Sequence, residues 1–255
     1  MLVFKGPAFG CAGQVVSLLS NRIRASFGFI DLAGYTALTE VQGDEDAADV
    51  AIGFAKLTRA ALGPGDRLVK SIGDAVLVTS PDPASGVDLV ERVLIAAARD
   101  VRLPALRAGL HHGEAVERQG DVFGAAVNLA ARVAAEAHAG EVLGTEPIAD
   151  AARAAGIPVA PLGNVLLKNV RQSVPLFSLA LVVGATDTPV DPVCRQPVDR
   201  RGAAGTLRYR GMEFWFCSLT CAAAFASNPG WHAAESLRPR SLAPKAGKGS
   251  GDSQP

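Results

Sequence analysis

From Ala25 onward the apolar positions fall into short blocks with two different periods. Ser26–Leu32 is a continuous apolar run that takes in Asp31 and is followed by Gly34 and Thr36, the pattern of a buried strand turning into a helix. Asp44–Leu62 carries Ala47, Val50, Ala51, Phe54 and Leu57 at helical three- and four-residue spacing. Arg67–Ile72 and Ala75–Ser80 flank Gly73-Asp74 and predict a hairpin. Pro83–Arg99 predicts an amphipathic helix opened by Asp and Pro. Leu106–Glu114 and Glu117–Gln119 read as two strands, Ala125–Ala137 and Pro147–Ala155 as helices, and Val159–Leu167 and Val174–Val183 as closing strands.

Strands and helices alternate without a strict βαβ repeat, and hairpins interrupt the alternation. The expected architecture is an α+β fold, a sheet with helices on one face. No internal repeat is visible. The chain divides into residues 1–22, a leader without a clear pattern; 23–183, the main domain; 184–189, a small polar linker; 190–232, a second module; and 233–255, a tail rich in Pro, Ser, Gly and Lys that reads as disordered.

Composition narrows the function classes. Of 255 residues 49% are hydrophobic and 20% charged, so a sizeable core can be buried. Lys plus Arg equals Asp plus Glu, and the net charge of zero gives no field that would draw nucleic acid or an anionic membrane. The longest nearly apolar stretch, 176–185, is far short of the ~20 residues of a membrane helix. Gly6, Pro7, Gly10 and Gly13 break up the N-terminus, which argues against a signal peptide. Four cysteines are too few and too unevenly spread for a disulfide scaffold, which makes a reducing cytoplasm the default expectation.

Three segments carry chemistry. In Phe29-Ile30-Asp31-Leu32-Ala33-Gly34-Tyr35-Thr36 a carboxylate ends a buried strand beside a small-residue turn into a helix. Backbone N–H groups there can hold phosphate oxygens, and Asp31 can hold a hard cation. Taken alone, an Asp before a Gly turn more often just caps a helix. In Lys70-Ser71-Ile72-Gly73-Asp74 a hairpin tip presents a second carboxylate; alone, it is a tight turn. In the segment Gly120 to Arg132, Asn128 and Arg132 are four apart and share a helix face. An amide and a guanidinium on one stripe can orient a sugar and stabilise phosphate charge, although most such pairs are simply solvated.

Together, in this order, the segments resemble the class III adenylate and guanylate cyclases over roughly residues 25–182, including Leu167-Lys168-Asn169-Val170 and Val174-Pro175-Leu176-Phe177 near the end. The resemblance implies a ferredoxin-like class III cyclase fold. It makes Asp31 and Asp74 the ligands of two Mg²⁺ or Mn²⁺, and Ala33, Gly34, Tyr35 and Thr36 the substrate-binding turn. It makes Lys70 and Asp121 the readers of the purine, Asn128 the residue that orients the ribose, Arg132 the one that stabilises the pentavalent phosphorus, and Lys168 a looser match to a triphosphate contact. Lys with Asp favours adenine, where guanylate cyclases usually carry Glu and Cys. The implied activity is conversion of ATP to 3′,5′-cyclic AMP and pyrophosphate, in a homodimer whose sites are shared between protomers. The alternatives are a non-catalytic nucleotide-binding or metal-sensing protein, and a guanylate cyclase.

A fourth segment lies beyond the linker. Asp191-Pro192-Val193-Cys194 is followed by Tyr209-Arg210-Gly211-Met212-Glu213-Phe214-Trp215-Phe216-Cys217-Ser218-Leu219-Thr220-Cys221, giving C-x22-C-x3-C. It resembles a YHS domain, one of the small modules related to TRASH metal-binding domains. A segment of ~40 residues usually needs a metal or another staple. Three thiolates from Cys194, Cys217 and Cys221 suit Zn²⁺ or Cu⁺. His232 is a possible fourth ligand, while Cys11, His111, His112 and His138 show no partner pattern.

Overall fold

The computed structural model describes residues 21–236, except 101, 182–188, 195 and 197. Its spine is β1 (Asn21–Leu32), whose alternation puts Ala25 and Phe27 on one face and Ile30 and Leu32 on the other. A helix pair follows, α1 (Tyr35–Gln42) and α2 (Asp44–Ala60). Gly43 separates them at φ 89°, a value that L side chains rarely adopt. Three acids in the first turn of α2 and Arg59 in its last complement the helix dipole.

The hairpin forms with the expected bounds, as β2 (Arg67–Ile72) and β3 (Ala75–Ser80), turned by Gly73 at φ 62°. Helix α3 (Pro83–Ala97) starts where Asp82 caps it, accepting from the Ser85 amide at 2.9 Å, with Pro83 in the first turn. Strand β4 (Leu106–Arg118) pairs with β1 along all twelve residues of β1. The expected break between Glu114 and Glu117 is absent; the turn comes later, at Gln119 and Gly120, both with positive φ. It leads into β5 (Asp121–Phe123), which folds back on β4. Then come α4 (Ala125–Glu136), β6 (Val142–Gly144), α5 (Glu146–Ala154), β7 (Val159–Val165) and β8 (Val174–Leu179).

The sheet has eight strands in the order β2-β3-β1-β4-β6-β8-β7, with β5 attached to β4. Only β4 and β6 pair in parallel; the remaining neighbours are antiparallel. This is the expected α+β class, with one correction: helices cover both faces. On one, Ile30, Val76, Val78 and Leu110 pack with Phe54 of α2, Val87, Val90 and Val93 of α3, and Ile148 of α5. On the other, Phe27, Leu77 and Ala115 pack with Ala126, Val127 and Ala130 of α4. The close approach of α4 depends on Gly109 of β4, where an added Cβ would stand 2.0 Å from the Ala134 backbone nitrogen.

Three segment boundaries differ from the sequence reading. β1 begins at Asn21, two residues inside the segment read as a leader. The second module runs through β9 (Gly205–Tyr209), β10 (Met212–Phe216), α6 (Leu219–Ser227) and α7 (Pro229–Ser236), so helix extends four residues into the segment read as a disordered tail. Pro189, read as the end of the linker, already belongs to this module, its carbonyl accepting from Val198 N at 2.8 Å. The rest of the leader (with Cys11), the rest of the linker and residues 237–255 lie outside the described residues.

Candidate functional site

Asp31 lies one residue from the end of β1, and Asp74 sits at the tip of the β2–β3 hairpin beside Ala75, the residue paired with Asp31. The register therefore brings two carboxyls from positions 43 apart in sequence into hydrogen-bonding contact. Burial, together with the charge of Asp31, pushes the Asp74 carboxyl up to about 6. Two half-buried carboxyls that repel each other are relieved by a cation, and their hard oxygens fit Mg²⁺ or Mn²⁺.

A residue that sequence reasoning missed stands beside them. Arg107 of β4 is the cross-strand partner of Asp31; its Nε donates to Asp31 Oδ2 at 2.7 Å, and its Nη2 donates to the same oxygen. The only available signal was the β1–β4 register, which cannot be read from residues 76 apart.

Gly34 caps α1 at φ 82° without any side-chain cap. The first amide of the expected phosphate-binding turn is already engaged, since Ala33 N donates to the Ala105 carbonyl at 2.9 Å. The amides available to an anion start at Gly34 and continue through Tyr35 and Thr36, before the first helical bond from Leu38 N to Gly34 O.

Lys70 and Asp121, expected to read the purine, are brought together by the β2 and β5 strands. Lys70 Nζ donates to Asp121 Oδ2 at 2.7 Å, and the ammonium lies 5.9 Å from the centre of the Phe123 ring. Asp121 Oδ1 accepts from Val122 N at 2.8 Å. The Lys70 hydrogen bond holds the Asp121 carboxyl below its ordinary value, so it remains an acceptor at neutral pH.

Asn128 is exposed and Arg132 half-buried one turn later on α4, and among the described residues neither side chain has a hydrogen bond or ion pair. Lys168 is exposed beside Asn169, which turns the β7–β8 connection at φ 62°. No hydrogen bond or ion pair among the described residues joins Asp31 or Asp74 to Lys70, Asp121, Asn128, Arg132 or Lys168.

The second module gathers a different donor set. One ligand atom from each of Asp191, Cys194, Cys217 and Cys221 lies within 4.8 Å of the others. Cys194 Sγ is 3.3 Å from Cys217 Sγ, which is 3.8 Å from Cys221 Sγ. Hydrogen bonds from the Cys194 and Cys217 thiols pull Cys221 well below its ordinary value, while donating to these two neighbours keeps Cys194 protonated. The fourth member is Asp191, not His232, whose ring stacks on Phe225. Asp191 organises the cluster: its Oδ1 accepts from Val193 N and Cys194 N at 2.8 and 3.3 Å, and its Oδ2 from Cys217 N at 2.9 Å. The sequence signal was the Asp-Pro-Val-Cys run itself, with Asp three residues ahead of a thiol.

No protein-family model matches the chain. It is 38% identical over 169 residues to the pH-sensitive adenylate cyclase of Mycobacterium tuberculosis, covering 65% of this chain and 42% of that protein. It is 37% identical over 124 residues to an adenylate cyclase of Streptomyces coelicolor, covering 48% of this chain and 32% of that one. The chain thus spans less than half the length of these relatives. Among solved structures, the adenylate/guanylate cyclase/hydrolase from Silicibacter pomeroyi aligns with TM-score 0.54 at 22% identity, over 63% of this chain and 98% of that one. The adenylyl cyclase CyaB from P. aeruginosa aligns with TM-score 0.54 at 21% identity, over 64% and 96%. The eight-stranded domain of this chain has the fold of class III adenylate and guanylate cyclase catalytic domains.

Proposed function

We propose that the protein is an adenylate cyclase, a phosphorus–oxygen lyase that converts ATP to 3′,5′-cyclic AMP and pyrophosphate. The observation that carries this reading is the Lys70–Asp121 pair. Lys70 spends one N–H on Asp121 and keeps two for adenine N1, while Asp121 keeps lone pairs for the exocyclic amine. Guanine would turn an N–H toward the ammonium and a carbonyl toward the carboxylate, two repulsive contacts that favour ATP over GTP. A filled set of active residue types argues against a purely nucleotide-binding sensor.

Asp31 and Asp74 would hold two Mg²⁺ or Mn²⁺, which when bound lower the pKa of the ribose 3′-hydroxyl and neutralise the triphosphate. The amides from Gly34 to Thr36 receive phosphate oxygens, and Arg107 supplies positive charge beside Asp31. Asn128 orients the ribose, Arg132 stabilises the charge that builds on the α-phosphorus during in-line attack, and Lys168 contacts the triphosphate. Homodimeric assembly supplies what one chain leaves apart: the carboxyl pair comes from one protomer, and Lys70, Asp121, Asn128 and Arg132 from its partner. Among the described residues no helix is long and apolar enough to cross a membrane, and we place the enzyme in the cytoplasm without nucleic-acid partners.

The second module is read as YHS-like, its three thiolates with Asp191 at hand fitting Zn²⁺ or Cu⁺. Complementation tests the shared site. Asp31→Ala and Asn128→Ala proteins should each be inactive, and mixing them should restore cyclic AMP formation through one intact site per heterodimer. Absence of recovery in confirmed heterodimers contradicts the shared site.

A further inference from the structure

Helix α1 is held at three points along its eight residues. Its N-terminus starts at the Gly34 turn, three residues after Asp31. Its middle residue Leu38 is fully buried in the core of the second module, with Cys194, Cys221, Phe216 and Phe225. Its last residue, Gln42, donates from Nε2 to Gln196 Oε1 at 3.3 Å. Gln196 is itself buried; its Nε2 donates to the Arg102 carbonyl of the cyclase domain, and Cys194 Sγ lies 3.8 Å from its Oε1. Tyr35 and Val50 pack against both the main core and the thiol core. The helix that opens the nucleotide turn is therefore also part of the thiol site's wall.

We infer that a thiophilic cation bound by Cys194, Cys217 and Cys221 is an effector of the nucleotide site, transmitted through α1 by Leu38 and the Gln42–Gln196–Cys194 chain. In tetrahedral Zn²⁺ coordination, Zn–S bonds of about 2.3 Å set the sulfurs about 3.8 Å apart. Cys217 and Cys221 already have that spacing, whereas Cys194 and Cys217 are at 3.3 Å. Loading thus moves Cys194 relative to Cys217 by about half an ångström. Cys194 is wholly buried against Leu38 and beside Gln196, in an interior too dense to absorb the shift locally. The cation cross-links Cys217, just after β10, to Cys221 of α6 and to the Cys194 loop, which firms the surface on which α1 rests. By linkage, nucleotide with Mg²⁺ at the Gly34 turn tightens cation binding at the thiols by the same factor. This last step rests on the cyclase reading; the effect on α1 does not.

Two measurements on the full chain test it. Hydrogen exchange of the 38–42 amides, with and without Zn²⁺, should show at least fivefold slower exchange when zinc is bound. Gln196→Ala should keep zinc binding and lose at least half of that slowing, and Cys217→Ser should lose zinc binding. Unchanged or faster exchange in zinc-loaded wild type overturns the inference, as does failure of Zn²⁺ to compete with a chromophoric chelator for the thiols, or a full response in Gln196→Ala. The second measurement is zinc affinity with and without Mg²⁺ and 3′-deoxy-ATP, an analogue that lacks the attacking hydroxyl, expected to differ by about fivefold or more. Equal affinities with both ligands bound overturn the coupling. Failure of the analogue to bind counts against the cyclase reading, and the exchange experiment then decides the role of α1.

Discussion

Arg107 and Asp31 stand opposite each other on neighbouring antiparallel strands, and the guanidinium donates from Nε to Asp31 Oδ2 at 2.7 Å. If Asp31 holds a metal as proposed, the guanidinium on its carboxylate competes with that metal. Arg107→Gln should therefore bind Mn²⁺ more tightly in the absence of nucleotide. A charge-assisted hydrogen bond of about 1.5–3 kcal/mol corresponds to roughly tenfold or more in affinity. Electron paramagnetic resonance titration of free Mn²⁺ measures it, and weaker Mn²⁺ binding would show that Arg107 supports the metal site instead.

Lys70→Ala removes the partner of Asp121 and the donor proposed for adenine N1. The ratio of kcat/KM for ATP over GTP should fall on the order of 10², because discrimination of this kind comes from groups left unpaired by the wrong base. Steady-state kinetics on both nucleotides reads it directly; an unchanged ratio places purine selection elsewhere.

Arg132→Ala should lower kcat by on the order of 10²–10³ with little change in ATP binding, as expected for a donor aimed at developing charge. A loss confined to KM would make Arg132 a ground-state contact.

Gly109→Ala tests the platform under Asn128 and Arg132. The added methyl meets the backbone of α4 and not the end of a flexible side chain, so the helix must move. We expect a loss of about 3 kcal/mol or more in denaturant unfolding, together with a loss of activity. A stable, active variant would show that α4 tolerates displacement.

His111 gives a pH signature independent of the active site. Its Nδ1 lies 2.8 Å from Thr145 Oγ1, and burial, followed by the charge of His112, pushes its pKa down to about 4. The folded state therefore binds fewer protons than the unfolded state between pH 4 and 6.5. Stability contributed by neutral His111 is present above pH 6.5 and is lost as pH falls toward 4. Metal-free Asp74, raised to about 6, has the opposite slope in an overlapping window. The comparison is thus between wild type and His111→Gln, each unfolded from pH 7 to 4.5. The variant should show a shallower acid-side decline, since burial also pushes the neighbouring His112 down, and an identical decline in both proteins would exclude His111.

Local pattern carried much of this structure. The β2–β3 hairpin follows from two apolar runs around Gly73-Asp74, and α3 from Asp82-Pro83 at its start. Asp31, Asp74, Lys70 and Asp121 are site candidates because the order and residue types of their segments resemble one family; the contacts that pair them come from strand register. What escaped had no local signal. β6 is three buried residues with no alternation to read. The amphipathic pattern of α4 shows that it buries a stripe, not which side of the sheet receives it, so helices on both faces do not follow from the sequence. Arg107 needed the β1–β4 register, and Gln196 needed the docking of the second module on α1. Asp191 replaces His232 in the thiol cluster because its carboxylate is tied to the amides of Cys194 and Cys217, an arrangement that spacing alone does not reveal.

The proposed cyclisation of ATP at a site built on Asp31 and Asp74 is open to direct assay. The most direct measurement is chromatographic detection of product after the purified protein is incubated with ATP or GTP, each with Mg²⁺ or Mn²⁺, beside Asp31→Ala. The wild-type protein should give cyclic AMP from ATP and little cyclic GMP from GTP, and the variant neither. Cyclic GMP as the main product, or bound ATP returned unchanged by the wild-type protein with either metal, would contradict it.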